Sequence, residues 1–139
     1  MSASQTDLYA LLAQSRTIAV VGHSDKPHRE SYRIGRYLRE AGYRVYPVNP
    51  TLTTIDGQPC YPSLAAVPEA IDIVDVFRRS VFLPEIVEAA IAVKAKALWT
   101  QLGVVNLDAQ ARARAAGLVV VSNRCILVEH QRLGVPVHV

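Results

Sequence analysis

The chain has little with which to staple, anchor or tether itself. Cys60 and Cys125 are the only cysteines in 139 residues, too few for a disulfide framework and without metal-ligand spacing, which points to a reducing compartment. His23 and His28 have no third ligand at a spacing that zinc would use, so no metal site is expected. No apolar run is long enough to cross a bilayer. Met1 to Ala13 lacks the basic-then-apolar order of a secretory signal. Charged residues make up only 19% of the chain and the formal net charge is +3, values that argue against disorder and against a nucleic-acid partner. No repeat, low-complexity stretch or linker interrupts the sequence. Residues 1–139 are therefore read as a single cytoplasmic domain with no membrane partner, and residues 1–15 as an N-terminal helix packed on it.

What is present is a rhythm. Thr17 to Gly22 is a short apolar run rich in β-branched residues, the pattern of a strand buried on both faces. Ile34, Tyr37, Leu38 and Ala41 then recur at helical spacing, with Gly42 where a left-handed cap is wanted, giving a helix over 31–41. Four further strands are expected at 43–48, 71–76, 95–99 and 118–121. Between the second and third, Ile55-Asp56-Gly57-Gln58 carries a hairpin turn signal, and 63–66 suits one helical turn. Ser80 is expected to cap a helix with Pro84 in its first turn. Asn106 caps another that Gly117 closes, and a last helix covers about 124–133. Strands alternating with helices through short connections predict an α/β Rossmann-like, doubly wound, five-stranded parallel sheet with helices on both faces, in strand order 3-2-1-4-5. In such a sheet the ligand lies beyond the carboxyl ends of the strands, so the residues just after each strand are the candidates.

After strand one come Gly22, Ser24, Lys26, Arg29 and Ser31, followed at once by a helix N-terminus. A glycine turn, hydroxyl donors, cationic side chains and a positive dipole end together favour an anionic phosphate. After strand three, Phe77 offers a flat apolar face, and Arg78 and Arg79 offer forked donors for phosphate. After strand four, Gln101 suits hydrogen bonding to amide groups. Cys125 reads as a buried inert thiol or as a nucleophile with His130 one helical turn on. Two requirements of a dinucleotide site are missing. The loop has one glycine where G-x-G-x-x-G is needed, and strand two ends in Val48-Asn49-Pro50 with no carboxylate for a ribose. Trp99, the only tryptophan, is expected near the crevice and is a candidate fluorescent reporter.

The motifs Ala19-Val20-Val21-Gly22-His23-Ser24-Asp25-Lys26-Pro27 with Arg29 and Ser31, Pro47-Val48-Asn49-Pro50, Asp72 to Arg79, Trp99 to Gly103 and Asn123-Arg124-Cys125 occur in one order and spacing. Together they resemble the small stand-alone CoA-binding domain proteins, which are similar to the nucleotide-binding Rossmann domain of the succinyl-CoA synthetase alpha subunit. The resemblance implies coenzyme A or an acyl-CoA as ligand. It implies that Gly22 to Ser31, with His23 and Pro27, hold the CoA phosphates. Val48, Asn49 and Pro50 would then flank the adenosine, Phe77 and Arg78 would lie along the cofactor, and the thioester end would point to Gln101. The synthetase carries its phosphorylated histidine in a second domain that has no counterpart in this chain. A non-catalytic binding, carrier or regulatory module is therefore the expectation, against an NAD(P)-dependent oxidoreductase on the same fold or an acyl-CoA-using transferase or thioesterase working through Cys125 or His130. The apolar tail Val135-Pro136-Val137 is left to pack within the monomer, or against a protein partner or a second copy in a homo-oligomer.

Overall fold

The computed structural model describes residues 4–138; the N-terminal and C-terminal ends of the expected 1–139 domain lie outside the described residues. Helix α1 spans Gln5–Gln14 and opens with a capping box: Ser4 accepts from the Asp7 N–H while Asp7 reaches back to the Ser4 N–H. Strands β1 (Thr17–Val21), β2 (Arg44–Val48), β5 (Ile73–Val76), β6 (Ala97–Thr100) and β7 (Val119–Val121) form one parallel sheet in the order β2-β1-β5-β6-β7. Between β2 and β5, the short strands β3 (Thr54–Ile55) and β4 (Gln58–Pro59) make an antiparallel hairpin. Its turn is Asp56-Gly57, both in left-handed conformation, as a two-residue hairpin requires.

Alternation along the strands builds two cores. Ala19, Val21, Val74, Val76, Leu98 and Val120 face α3 (Leu83–Ala92) and α4 (Leu107–Ala115), while Ile18, Val20, Ile73, Ala97, Trp99 and Val121 face α1, α2 (Glu30–Glu40) and α5 (Ile126–Arg132). All five residues of β1 are buried, which is why that stretch reads as an unbroken apolar run. The α/β class, the five parallel strands and the two helical layers match the sequence reading, as do the Asn106 cap, whose Oδ1 accepts from the Ala109 N–H at 3.0 Å, and the left-handed Gly42 and Gly117.

The strand order does not match. Counting the five long strands, the order is 2-1-3-4-5 and not 3-2-1-4-5, because β5 enters between β1 and β6. The chain leaving β2 folds back as the hairpin, and Tyr61 forms a parallel bridge with Val48, taking the Tyr61 N–H to the Pro47 carbonyl and the Asn49 N–H to the Tyr61 carbonyl. The outer edge of β2 is thus already covered. Strand β5 is buried at every residue and belongs at the centre. The order reverses between β1 and β5, and the crevice opens above Gly22 and Phe77.

Ser80 has another task than the one expected of it. It opens a 3-10 turn, Ser80–Phe82, ahead of α3, whose N-cap is Phe82 with Pro84 in its first turn. The Ser80 hydroxyl donates to the Gly103 carbonyl and accepts from the Val105 N–H at 2.9 Å, tying together the connections that leave β5 and β6. Trp99 is also not at the crevice surface: it is fully buried and donates from Nε1 to the Arg124 carbonyl at 2.8 Å. Val135 packs into the core against the α1/α2/α5 side, whereas Val137 is exposed.

Candidate functional site

The loop after β1 is held from below. Gly22 has φ +86°, and a Cβ there would lie 3.3 Å from both Cγ and Cδ of Arg78, so backbone conformation and close approach both call for glycine. The Gly22 N–H reaches across to the Val48 carbonyl. His23 then turns its ring into the core, wholly out of solvent. Its Nδ1 meets the Ser24 carbonyl at 2.8 Å and therefore carries the hydrogen, leaving a neutral ring. Burial holds this histidine below its ordinary range, and the bond to Ser24 offsets that only in part. Its Nε2 presses on Gly35 of α2, where a Cβ would come within 2.4 Å of it. The loop continues as a chain of local bonds: Ser24 N–H to Ser31 Oγ, Lys26 N–H to Ser24 Oγ and Arg29 N–H to the Lys26 carbonyl. Because Ser24 directs its carbonyl inward, the following N–H of Asp25 points outward, since the two are antiparallel across a trans peptide.

Asn49 joins the loop to β2. Its Nδ2 donates to the His23 carbonyl at 3.0 Å, and its Oδ1 accepts from the N–H and hydroxyl of Thr51. Tyr32 of α2 donates to Asp56 at the hairpin tip at 2.5 Å, which fixes the hairpin over the same edge. Arg78 lies over the Phe82 ring, its Cζ 4.0 Å from the centroid, with Arg79 at 5.8 Å.

These pieces enclose a cavity of about 940 Å³ at the β1/β5 crossover. One end is Ser24, Lys26, Arg29 and Ser31; the other is Phe77, Gln101, Leu102 and Val104. Gly22 and Asn49 form the floor between them. A side cavity of about 320 Å³ shares Gly22, Asn49 and Phe77 and adds Pro50, Arg78 and Arg79. A third, of about 270 Å³, is walled by Val48, Pro50, Leu64, Arg78 and Ile86. Of the residues singled out from the sequence, twelve thus border this connected crevice. Pro27 lines none of the three cavities, and His23 acts from beneath. Cys125 and His130 line none of them either; His130 is buried with Nδ1 2.7 Å from the Tyr37 hydroxyl.

Sequence reasoning took in Asp25, His28 and Glu30 only as part of the Gly22 to Ser31 loop, and it did not single out Thr51, Leu52, Leu102 or Val104 as lining groups. It also missed the Phe82 stack. Arg78 precedes the 3-10 turn that Phe82 ends, so no helical spacing announced that contact. The His23–Gly35 contact had a weak signal, a glycine in mid-helix with no turn to make.

The cationic groups of the cavity are unspent. Among the described residues, Lys26, Arg29, Arg78 and Arg79 form no ion pair, whereas seven ion pairs join other cations to carboxylates. Helix α2 begins at this end, and its N-cap Arg29 makes no side-chain cap bond, which leaves first-turn N–H groups available to an anion.

Residues 16–131 match the family described as the CoA binding domain. The chain belongs to that family. Its CoA-binding domain is 39% identical over 127 residues to an uncharacterized protein, YneT, of Bacillus subtilis, covering 91% of this chain and 94% of that one. A solved hypothetical protein from Pyrococcus horikoshii superposes with a TM-score of 0.92 at 41% identity, covering 94% of this chain and 92% of the other. An ADP-forming acetate–CoA ligase of Archaeoglobus fulgidus is 34% identical over 73 residues, 52% of this chain but only 11% of the ligase. The chain is thus related to one portion of that much longer ligase. No helix among the described residues is long and apolar enough to cross a membrane.

Proposed function

We propose that this CoA-binding domain holds coenzyme A or an acyl-CoA in the β1/β5 crevice, as a binding, carrier or regulatory module without chemistry of its own. The observation that carries the reading is the polarity of the cavity. Lys26 and Arg29, unpaired although Asp25 and Glu30 line the same end, stand beside the uncapped start of α2, and Phe77, Gln101, Leu102 and Val104 form the other end. CoA has the same polarity, a polyanionic head and a thin neutral arm. The phosphates meet Lys26, Arg29, the hydroxyls of Ser24 and Ser31 and the outward N–H groups of the loop. The adenosine lies against Val48, Asn49 and Pro50, with Arg78 between Gly22 and Phe82 offering a flat cationic face and Arg79 close by. Gln101 spends its Oε1 on the Ile126 N–H at 3.2 Å, so its NH2 group is the part that turns to the carbonyls of the arm. His23 holds the loop in shape from beneath.

Titration calorimetry with CoA, dephospho-CoA and NAD tests the reading. CoA is expected to bind saturably and NAD at least tenfold more weakly, since β2 ends without a ribose-binding carboxylate. Binding of NAD but not CoA would overturn the proposal. Arg29→Ala refines it. A loss larger for CoA than for dephospho-CoA assigns Arg29 to the 3′-phosphate, and equal losses assign it to the pyrophosphate.

A further inference from the structure

Eight large apolar side chains are exposed among the described residues, and four of them, Val81 (69%), Leu102 (66%), Val105 (40%) and Leu107 (74%), belong to the connections that leave β5 and β6. Ser80 ties those two connections into one rim through Gly103 and Val105. Isolated apolar residues on a surface are ordinary; several on one rim next to a cavity are a binding feature. Leu102 also lines the arm end of the main cavity with Val104, Phe77 and Gln101, so the apolar strip begins inside and continues over the edge.

The polar side chains of this rim are turned inward. Asn123 Oδ1 accepts from the Gly103 N–H at 2.7 Å, Gln101 Oε1 from Ile126, Asn106 Oδ1 from Ala109 and Ser80 Oγ from Val105. Arg79, the cation next to Ser80 in sequence, lies near the Phe82 ring and lines the side cavity with Pro50 and Arg78, and Arg124 is committed to Glu129 at 2.9 Å. The strip therefore presents methyl groups, and the unpaired cation beside it, Arg79, belongs to the side cavity.

Resting on the CoA reading above, we infer that the ligand is an acyl-CoA with a plain aliphatic chain of medium length, which leaves the cavity past Gln101 and lies along Leu102, Val105, Leu107 and Val81. Burying each methylene favours binding roughly fourfold. Half-covering the six methylenes of an octanoyl chain on an open rim would then favour binding about sixtyfold, and ordering the flexible chain offsets part of that, leaving about tenfold over CoA. Calorimetry with CoA, succinyl-CoA and octanoyl-CoA reads this directly. Octanoyl-CoA is expected to bind about tenfold more tightly than CoA, and succinyl-CoA no more tightly than CoA. The double variant Val81→Ser/Leu107→Ser is expected to cut the octanoyl gain to threefold or less while CoA itself binds as before. Octanoyl-CoA binding no better than CoA, or a gain that survives the double variant, overturns the inference and leaves the CoA reading standing. So does a wild-type dimer in sedimentation that the double variant dissociates without loss of the gain, which would assign the rim to a contact between copies. If CoA does not bind at all, it is the underlying reading that fails.

Discussion

The two ends of the sheet are both rich in charge, and they treat it in opposite ways. At the amino-terminal end of the strands, Asp72 and Glu69 are each matched by a cation. Asp72 accepts from the N–H groups of Arg16 and Thr17 at 2.7 and 3.1 Å and pairs with Lys96 at 3.3 Å. Arg44 makes a two-pronged contact with Glu69, to which Tyr46 also donates. At the carboxyl-terminal end, Lys26, Arg29, Arg78 and Arg79 border connected cavities and none forms an ion pair among the described residues, although Asp25 and Glu30 line the main cavity with Lys26 and Arg29. A fold selected only for stability would treat both ends as it treats the first. Unspent cations beside a helix N-terminus raise the energy of the empty protein slightly, and an anionic ligand relieves them.

The sharpest way to break this contrast is to reverse the charge at one end. Lys26→Glu/Arg29→Glu is expected to lower CoA affinity by a hundredfold or more while the melting temperature stays level or rises, because no native ion pair is lost. A large fall in melting temperature with affinity intact would show these cations to be structural.

Next in size is Gly35→Ala. The new methyl must displace the His23 ring, so a stability loss of about 1–3 kcal/mol and roughly tenfold weaker CoA binding are expected. Chemical denaturation and calorimetry on one sample read both. Affinity unchanged at reduced stability would remove His23 from its role beneath the loop.

At the opposite end, Asp72→Asn is expected to cost about 1–3 kcal/mol of stability and leave CoA binding untouched. Burial alone pushes the Asp72 carboxyl up, but the two backbone N–H groups and Lys96 outweigh it and hold it below the ordinary range. Its contribution is therefore present above the unfolded-state value and lost as pH falls through the lower folded one. The melting curve of the variant should accordingly be flatter than the wild type below pH 4, a comparison made by circular dichroism across an acid series.

The smallest effect on the site belongs to Asp75, whose replacement is expected to leave CoA affinity unchanged; it is buried in β5 with neither carboxylate oxygen partnered among the described residues. Burial raises its carboxyl well above the ordinary range, so the folded protein keeps it protonated while the unfolded chain ionises it. Stability is then fullest below the unfolded value and falls as pH rises, by about 1.4 kcal/mol per unit until the folded value is reached. Asp75→Asn should flatten the decline in melting temperature as pH rises above the unfolded-state value. An unchanged slope would mean that the carboxyl is solvated in solution.

Much of this was legible beforehand where local chemistry decides. Asn106 caps α4, Gly42 and Gly117 close helices and Asp56-Gly57 turns the hairpin, because each depends on a few neighbouring residues. The gathering of Ser24, Lys26, Arg29, Phe77 and Gln101 at one crevice followed from a single rule about strand ends. Side-chain direction was less accessible. His23 and Trp99 both stand beside the crevice in sequence, yet both turn into the core, since α2 offers the gap at Gly35 and α5 begins where the Arg124 carbonyl can receive an indole N–H. Ser80 reads as a cap and instead bridges two loops.

The amino-acid sequence by itself determined the alternation of strands and helices, the two apolar faces of the sheet and the stock of cations and donors at the strand ends, because these follow from periodicity and from backbone preferences of single residues. Only the tertiary structure decided that β5 lies beside β1. Alternating elements pack equally well at either free edge of the β1–β2 pair until the return through Tyr61 occupies the β2 edge. That choice set where the crossover falls, and with it which charges meet at the cavity.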